Sequence, residues 1–187
     1  MEKTKSPALM IGLSSAPNIV CHPVLFLLPM FTAIVLQQGP DYGGYFMAVN
    51  GAGGLAMVFL LSAFGFPKKR GMACIISALA SAVLTLVLSQ SIWMPIAFLV
   101  LALFGATQTM FRTTNGVLTQ ILTDDEYRVR VTSLYRIVMG MVIFFSLTIG
   151  WLADSTSPRW ALAAMGVLGI IISVLFLLGS KKIREQE

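Results

Sequence analysis

Long apolar runs are the feature that most constrains this chain. Six stretches of about 20 residues, the length that crosses the hydrocarbon core of a bilayer, follow one another with short connections. Their approximate bounds are 8–29, 42–66, 71–91, 93–115, 131–153 and 160–179. Because no backbone polar group can stay unpaired in lipid, we expect each run to form a transmembrane α-helix. The sequence therefore predicts an all-α membrane protein, with one six-helix domain and a cytoplasmic tail at 180–187.

The composition argues against a soluble domain. Of the 187 residues, 57% are hydrophobic and only 11% are charged, whereas a soluble domain carries roughly 25% charged residues. The net charge of +5 would suggest a nucleic-acid partner in a soluble protein, but here the basic residues sit in short runs between apolar stretches. We therefore expect a lipid bilayer as the partner, and no nucleic acid.

The basic residues predict the orientation. Of the 13 lysines and arginines, all but Arg159 fall at or near one side of the predicted membrane, which places both termini in the cytoplasm by the positive-inside rule. Trp93, Trp151 and Trp160 then fall at the outer interface, where amphipathic rings settle. A cleaved signal peptide over residues 1–16 is a less favoured alternative, because the apolar stretch continues through Leu28.

Small side chains recur at four-residue spacing in two of the predicted helices. Such repeats allow helix backbones to approach closely in lipid, so we favour helix contact over a ligand groove as their explanation. The residues are Gly44, Ala48, Ala52 and Ala56 in the second helix, and Ala73, Ser77, Ser81, Thr85 and Ser89 in the third.

Several segments resemble the major facilitator superfamily of transporters. NGVLTQ at 115–120 and TDDEYRVRVTSLY at 123–135 are similar to the loop between that family's tenth and eleventh helices, and GWLAD at 150–154 to the end of its eleventh. LPMF at 28–31, followed by Gly39, Pro40, Tyr42 and Gly43, resembles its seventh-to-eighth connection. More narrowly, the pattern looks like the bacterial branch of enterobactin and macrolide exporters.

The resemblance implies helices seven to twelve of a twelve-helix transporter, built as two inverted three-helix repeats with a substrate site near the bilayer midplane. The implied function is secondary active efflux of a drug-like or siderophore-like molecule across a bacterial inner membrane. The implied partner is a second six-helix half or another copy of the chain. The alternative is a transport-inactive fragment or accessory subunit that packs against such a partner.

Polar residues inside membrane spans are the place to look for a substrate pathway. Three prolines (Pro17, Pro23 and Pro29) should bend the first helix and free backbone carbonyls, so His22 either serves a site there or only hydrogen-bonds such a carbonyl. Arg112 is interpreted first as an anchor at the cytoplasmic headgroups. The pathway candidates are Asn18, His22, Asn50, Gln108 and Asn115.

Charged residues of the predicted cytoplasmic loops are candidates for a gate. They could form a salt-bridge network that closes the inner side, or they are a solvated loop that obeys the positive-inside rule. The candidates are Asp124, Asp125, Glu126, Arg128, Arg130 and Arg136.

Carboxylates are missing from the interior of every predicted span. Proton-coupled antiport normally relies on a buried carboxylate, so a coupling group would have to come from another polypeptide. The chain has one histidine and none of the common catalytic or metal-binding motifs. We therefore expect neither an enzyme nor a metal or other cofactor.

Overall fold

The structure, a computed structural model, describes residues 23–39, 41–67, 69–122 and 128–179. Every regular element in these ranges is a helix. We number them α1 (Val24–Ile34), α2 (Asp41–Phe64), α3 (Arg70–Gln90), α4 (Met94–Leu122), α5 (Arg128–Ser155) and α6 (Pro158–Gly179). Short connections join α2 to α3, α3 to α4 and α5 to α6.

Four of the described helices, α2, α3, α4 and α6, are long and apolar enough to cross a membrane. The prediction of an all-helical membrane protein is confirmed at this level. Most of the predicted first span, 8–29, lies outside the described residues. α5 has 28 residues, and several of its side chains are also outside the described part of the chain.

α4 is longer than its predicted span of 93–115. It ends at Leu122 and contains 29 residues, which is about 44 Å at 1.5 Å per residue, against roughly 30 Å of hydrocarbon. The apolar run stops at the polar Thr113, Thr114 and Asn115, but backbone hydrogen bonding does not depend on side-chain polarity and no proline follows. Side-chain polarity therefore did not predict where this helix ends.

α1 continues through Pro29, where the sequence predicted the span to end, and reaches Ile34. Pro29 has no N–H to donate within the helix, but its own carbonyl accepts a hydrogen bond from Thr32 Oγ1 at 2.8 Å. The chain leaves the helical conformation clearly only at Gln37, whose φ of 51° lies in the left-handed region.

α3 lies at the centre of the bundle. It packs against α4 on one side and α6 on the other, whereas α2 packs mainly against α4, and α1 touches α2, α5 and α6. In the apolar 18-residue segment of α3, 56% of the residues are buried, whereas in the corresponding segment of α2 only 6% are buried. α2 is therefore the most exposed of the four membrane-length helices.

The small residues of α3 make the helix contacts that their spacing predicts. All five members of the set, Ala73, Ser77, Ser81, Thr85 and Ser89, are buried. The Thr85 hydroxyl donates to the Ser81 carbonyl of the same helix at 2.9 Å, so polar groups are satisfied without a partner helix. A Cβ added to Gly166 of α6 would lie 2.9 Å from the Leu86 backbone nitrogen, which shows how closely α6 approaches α3.

The prediction that the small residues of α2 at four-residue spacing contact a neighbouring helix is wrong within the described chain. Gly44, Ala48, Ala52 and Ala56 are all exposed, and a Cβ on Gly44 would meet nothing within 4 Å. The buried small residues of α2 are instead Gly43 and Gly53. Each step along a helix turns the side chain by about 100°, so a stripe one residue out of register faces away from the neighbouring helix.

Three exposed tryptophans lie at one end of the bundle. Trp93, Trp151 and Trp160 are exposed by 72%, 71% and 68%. At the same end, Arg159 Nη2 donates to Gln90 Oε1 at 2.8 Å, which joins the start of α6 to the end of α3. This arrangement fits an interface between hydrocarbon and headgroups.

Candidate functional site

The site is a cleft of about 300 Å³ between α2 and α4, with one wall from α1. Apolar side chains and glycine backbone form most of its surface, and four polar side chains reach it. Its lining residues are Leu25, Asn50, Gly51, Gly54, Leu55, Val58, Phe104, Gly105, Gln108, Thr109 and Arg112.

Glycines bring α2 and α4 together beside the cleft. A Cβ on Gly53 would overlap the Ala102 carbonyl, and one on Gly105 would overlap the Asn50 carbonyl. A Cβ on Gly54 would lie 2.7 Å from Thr109 Oγ1. The absence of these three side chains therefore permits the close crossing and keeps the polar groups uncovered.

Two carboxamides in the cleft have oxygens without partners. Asn50 Oδ1 and Gln108 Oε1 are buried and accept no hydrogen bond from the described residues. Gln108 is only 8% exposed. A buried acceptor left without a donor costs about 1–3 kcal/mol, and a ligand with N–H or O–H groups would recover that cost.

The structure brings the two pathway candidates Asn50 and Gln108 into one cleft. Neither side-chain oxygen accepts a hydrogen bond from another described residue, so both are available to a ligand that donates one.

The structure describes only some of the other candidates. Asn115 is 2% exposed and does not line the cleft. Asn18 and His22 lie outside the described residues, as do the gate candidates Asp124, Asp125 and Glu126. Arg128 and Arg130 lie in the first turn of α5 with side chains outside the described part, and Arg136 is exposed.

Thr109 and Arg112 belong to the cleft, although the sequence did not assign them there. Gly105, Gln108, Thr109 and Arg112 are spaced by three, four and seven residues along α4, which places them on one helix face. The same spacing could have assigned Thr109 and Arg112 to the face of Gln108 from the sequence alone. Arg112 was interpreted as an anchor, and its exposed side chain at the mouth of the cleft is compatible with both roles.

Comparison of the chain with protein-family models, curated proteins and solved structures finds no significant match. The function is therefore argued from the cleft and the helices that form it.

Proposed function

We propose that this chain is half of a secondary active transporter of the major facilitator type, which exports an amphipathic small molecule through the α2–α4 cleft. The observation that carries the proposal is a pair of buried oxygens, on Asn50 and Gln108, that have no hydrogen-bond partner among the described residues. They lie in a cleft between two membrane-length helices. Polar groups are costly in hydrocarbon and usually mark a pathway there.

The depth of the cleft supports this function. Asn50 follows the first residue of α2 by nine positions and Gly105 follows the first residue of α4 by eleven, which is about 14 and 17 Å along each helix at 1.5 Å per residue. Half of a hydrocarbon core of roughly 30 Å is about 15 Å. The proposed site is thus near the midplane, where such carriers bind their substrates.

The exposed side of α2 supports a partner. Gly51, Leu55 and Val58 line the cleft and continue onto the exposed surface that carries Ala48 and Ala52. We infer that a second six-helix half, or another copy of this chain, covers this side and completes the pathway. Small residues in lipid favour such close helix contact.

A transport-inactive fragment or accessory subunit is the second candidate. It is favoured by the position of the acidic residues, because in the described part of the chain Asp41 and Asp154 lie at helix ends, in the first turn of α2 and the last turn of α5. A carboxylate for proton coupling would then come from the partner. For both candidates we propose a bacterial inner membrane as the location, with both termini of this chain in the cytoplasm.

An efflux assay tests the transport function. Bacteria expressing the chain are de-energised, loaded with the neutral dye N-phenyl-1-naphthylamine, whose amine N–H can donate a hydrogen bond, and re-energised, and dye loss is followed by fluorescence. We expect faster loss than in empty-vector cells. Asn50→Leu and Gln108→Leu should each reduce the added rate about two- to tenfold, because each removes a hydrogen bond worth roughly 0.5–1.5 kcal/mol.

Gln90→Leu is the matched control, since Gln90 is a carboxamide at the far end of α3 and bonds Arg159. It should leave the rate unchanged at equal expression. Dye loss no faster than in empty-vector cells would contradict a transporter assembled from copies of this chain and favour the inactive fragment or accessory subunit.

A further inference from the structure

Among the described residues, Arg112 is the only charged one that lines the cleft. No ion pair or hydrogen bond joins its guanidinium to another described residue. The described acidic residues Asp41 and Asp154 belong to the ends of α2 and α5. The electrostatic character of the cleft is therefore positive and uncompensated by the part of the chain that the structure describes.

The polar groups of the cleft are ordered along α4. Gln108 lies four residues before Arg112, which is about 6 Å along the axis, and Asn50 abuts Gly105 about one turn further from the arginine. A ligand lying along α4 would meet buried acceptors at one end and a cation at the other. Thr109 adds a hydroxyl between them.

An apolar surface faces the same space. Leu25, Leu55, Val58 and Phe104 line the cleft, and Phe104 is only 2% exposed. This surface would hold a hydrocarbon or aromatic group of the ligand, since burying apolar area is favourable by roughly 25 cal/mol per Å².

We propose that the cleft selects an amphipathic organic anion that also carries an N–H or O–H donor. Its anionic group pairs with Arg112, its donor meets the oxygens of Gln108 and Asn50, and its apolar group lies against Phe104. A cationic ligand would be repelled by an arginine that has no counter-ion among the described residues. The inference rests on the proposed function, because it specifies the substrate of the same cleft.

Two sources could supply this chemistry, a water-soluble organic anion and the headgroup of an anionic phospholipid. Both would place an anion on Arg112. If the cleft takes a soluble anion, anionic lipid in the bilayer will not compete with it. If the cleft takes a lipid headgroup, anionic lipid will compete with a soluble anionic probe. Changing the lipid composition therefore distinguishes the two sources.

Three probes that share one fluorophore and a sulfonamide nitrogen test the selectivity. They are dansylglycine, an anion; dansylamide, which is neutral; and N-(2-aminoethyl)dansylamide, a cation. Their fluorescence is titrated with the full chain in phosphatidylcholine nanodiscs. We expect dansylglycine to bind at least about tenfold more tightly than the cation, since charge-assisted hydrogen bonds are roughly twice as strong as neutral ones.

Substitutions then assign the selectivity to Arg112. Arg112→Gln should remove the preference for the anion, and Arg112→Lys should retain most of it because the charge remains. Arg159→Gln is the control, because Arg159 lies at the start of α6, outside the cleft, and donates a hydrogen bond to Gln90. This variant should keep the wild-type preference. Unchanged thermal unfolding of each variant shows that folding is intact.

The lipid arm repeats the titration in nanodiscs that contain phosphatidylglycerol. Unchanged affinity for dansylglycine identifies a soluble anion as the occupant, and competition that depends on Arg112 identifies a lipid headgroup. Equal affinities for anion and cation, tighter binding of the cation, or no saturable binding would overturn the inference. Because N-phenyl-1-naphthylamine is neutral, its export would still support the transporter in those cases.

Discussion

Single residues at the crossing of α2 and α4 control how closely the two helices approach. Gly53 is buried against the Ala102 carbonyl, while Gly51, two positions earlier, is exposed with nothing within 4 Å of an added Cβ. The same residue type in the same helix therefore has two different roles. One glycine is required by packing, and the other borders the open cleft.

This difference predicts opposite effects of alanine. Gly53→Ala should lower the free energy of unfolding by about 1–3 kcal/mol, the usual cost of overpacking, because backbone atoms of α4 cannot move aside cheaply. Gly51→Ala should be neutral or stabilise by up to about 1 kcal/mol, since alanine favours helix over glycine. Thermal unfolding in detergent measures both, and equal effects would contradict the observed crossing.

Whole helices differ in how much of their surface the chain itself covers. α3 buries its stripe of small residues between α4 and α6, and its hydroxyls bond carbonyls of their own helix. α2 leaves a similar stripe exposed. A stripe of small residues thus indicates close contact, but not whether the contacting helix belongs to the same chain.

The exposed stripe of α2 predicts an intermolecular contact at Ala52. In a variant without native cysteines, Ala52→Cys should form cross-links in native membranes upon oxidation or addition of a short bifunctional maleimide. A product of twice the chain mass identifies a second copy, and another mass identifies a separate six-helix half.

Leu168→Cys provides the comparison for this experiment. Leu168 on α6 is 53% exposed but has no stripe of small residues around it, so we expect it to remain monomeric. Similar cross-linking at both positions would indicate random collision and remove the support for a partner on α2.

At the scale of the whole molecule, orientation can be tested at the helix ends. Ser155 and Lys69 are both exposed and lie at the α5–α6 and α2–α3 connections. In a variant without native cysteines, Ser155→Cys should react with a membrane-impermeant maleimide in intact spheroplasts. Lys69→Cys should react only after permeabilisation, because basic connections stay in the cytoplasm. The reverse labelling would invert the topology.

The sequence alone determined the class of protein and its regular structure. Apolar runs of bilayer length require helices, because lipid offers backbone groups no other partner, and the described helices follow from this. α4 and α1 nevertheless extend past the predicted limits, since the polar side chain of Asn115 does not interrupt backbone hydrogen bonding and the proline at position 29 removes only the bond that its own N–H would donate.

Tertiary structure decided which faces meet and which residues share a site. Spacing placed Gln108 and Arg112 on one face of α4, but only the crossing at Gly53 and Gly105 brought Asn50 beside them. The same packing turned the predicted stripe of α2 outward. Lipid surrounds every helix with equally apolar solvent, so hydrophobicity cannot specify the contacting face, and close packing between particular backbones decides it.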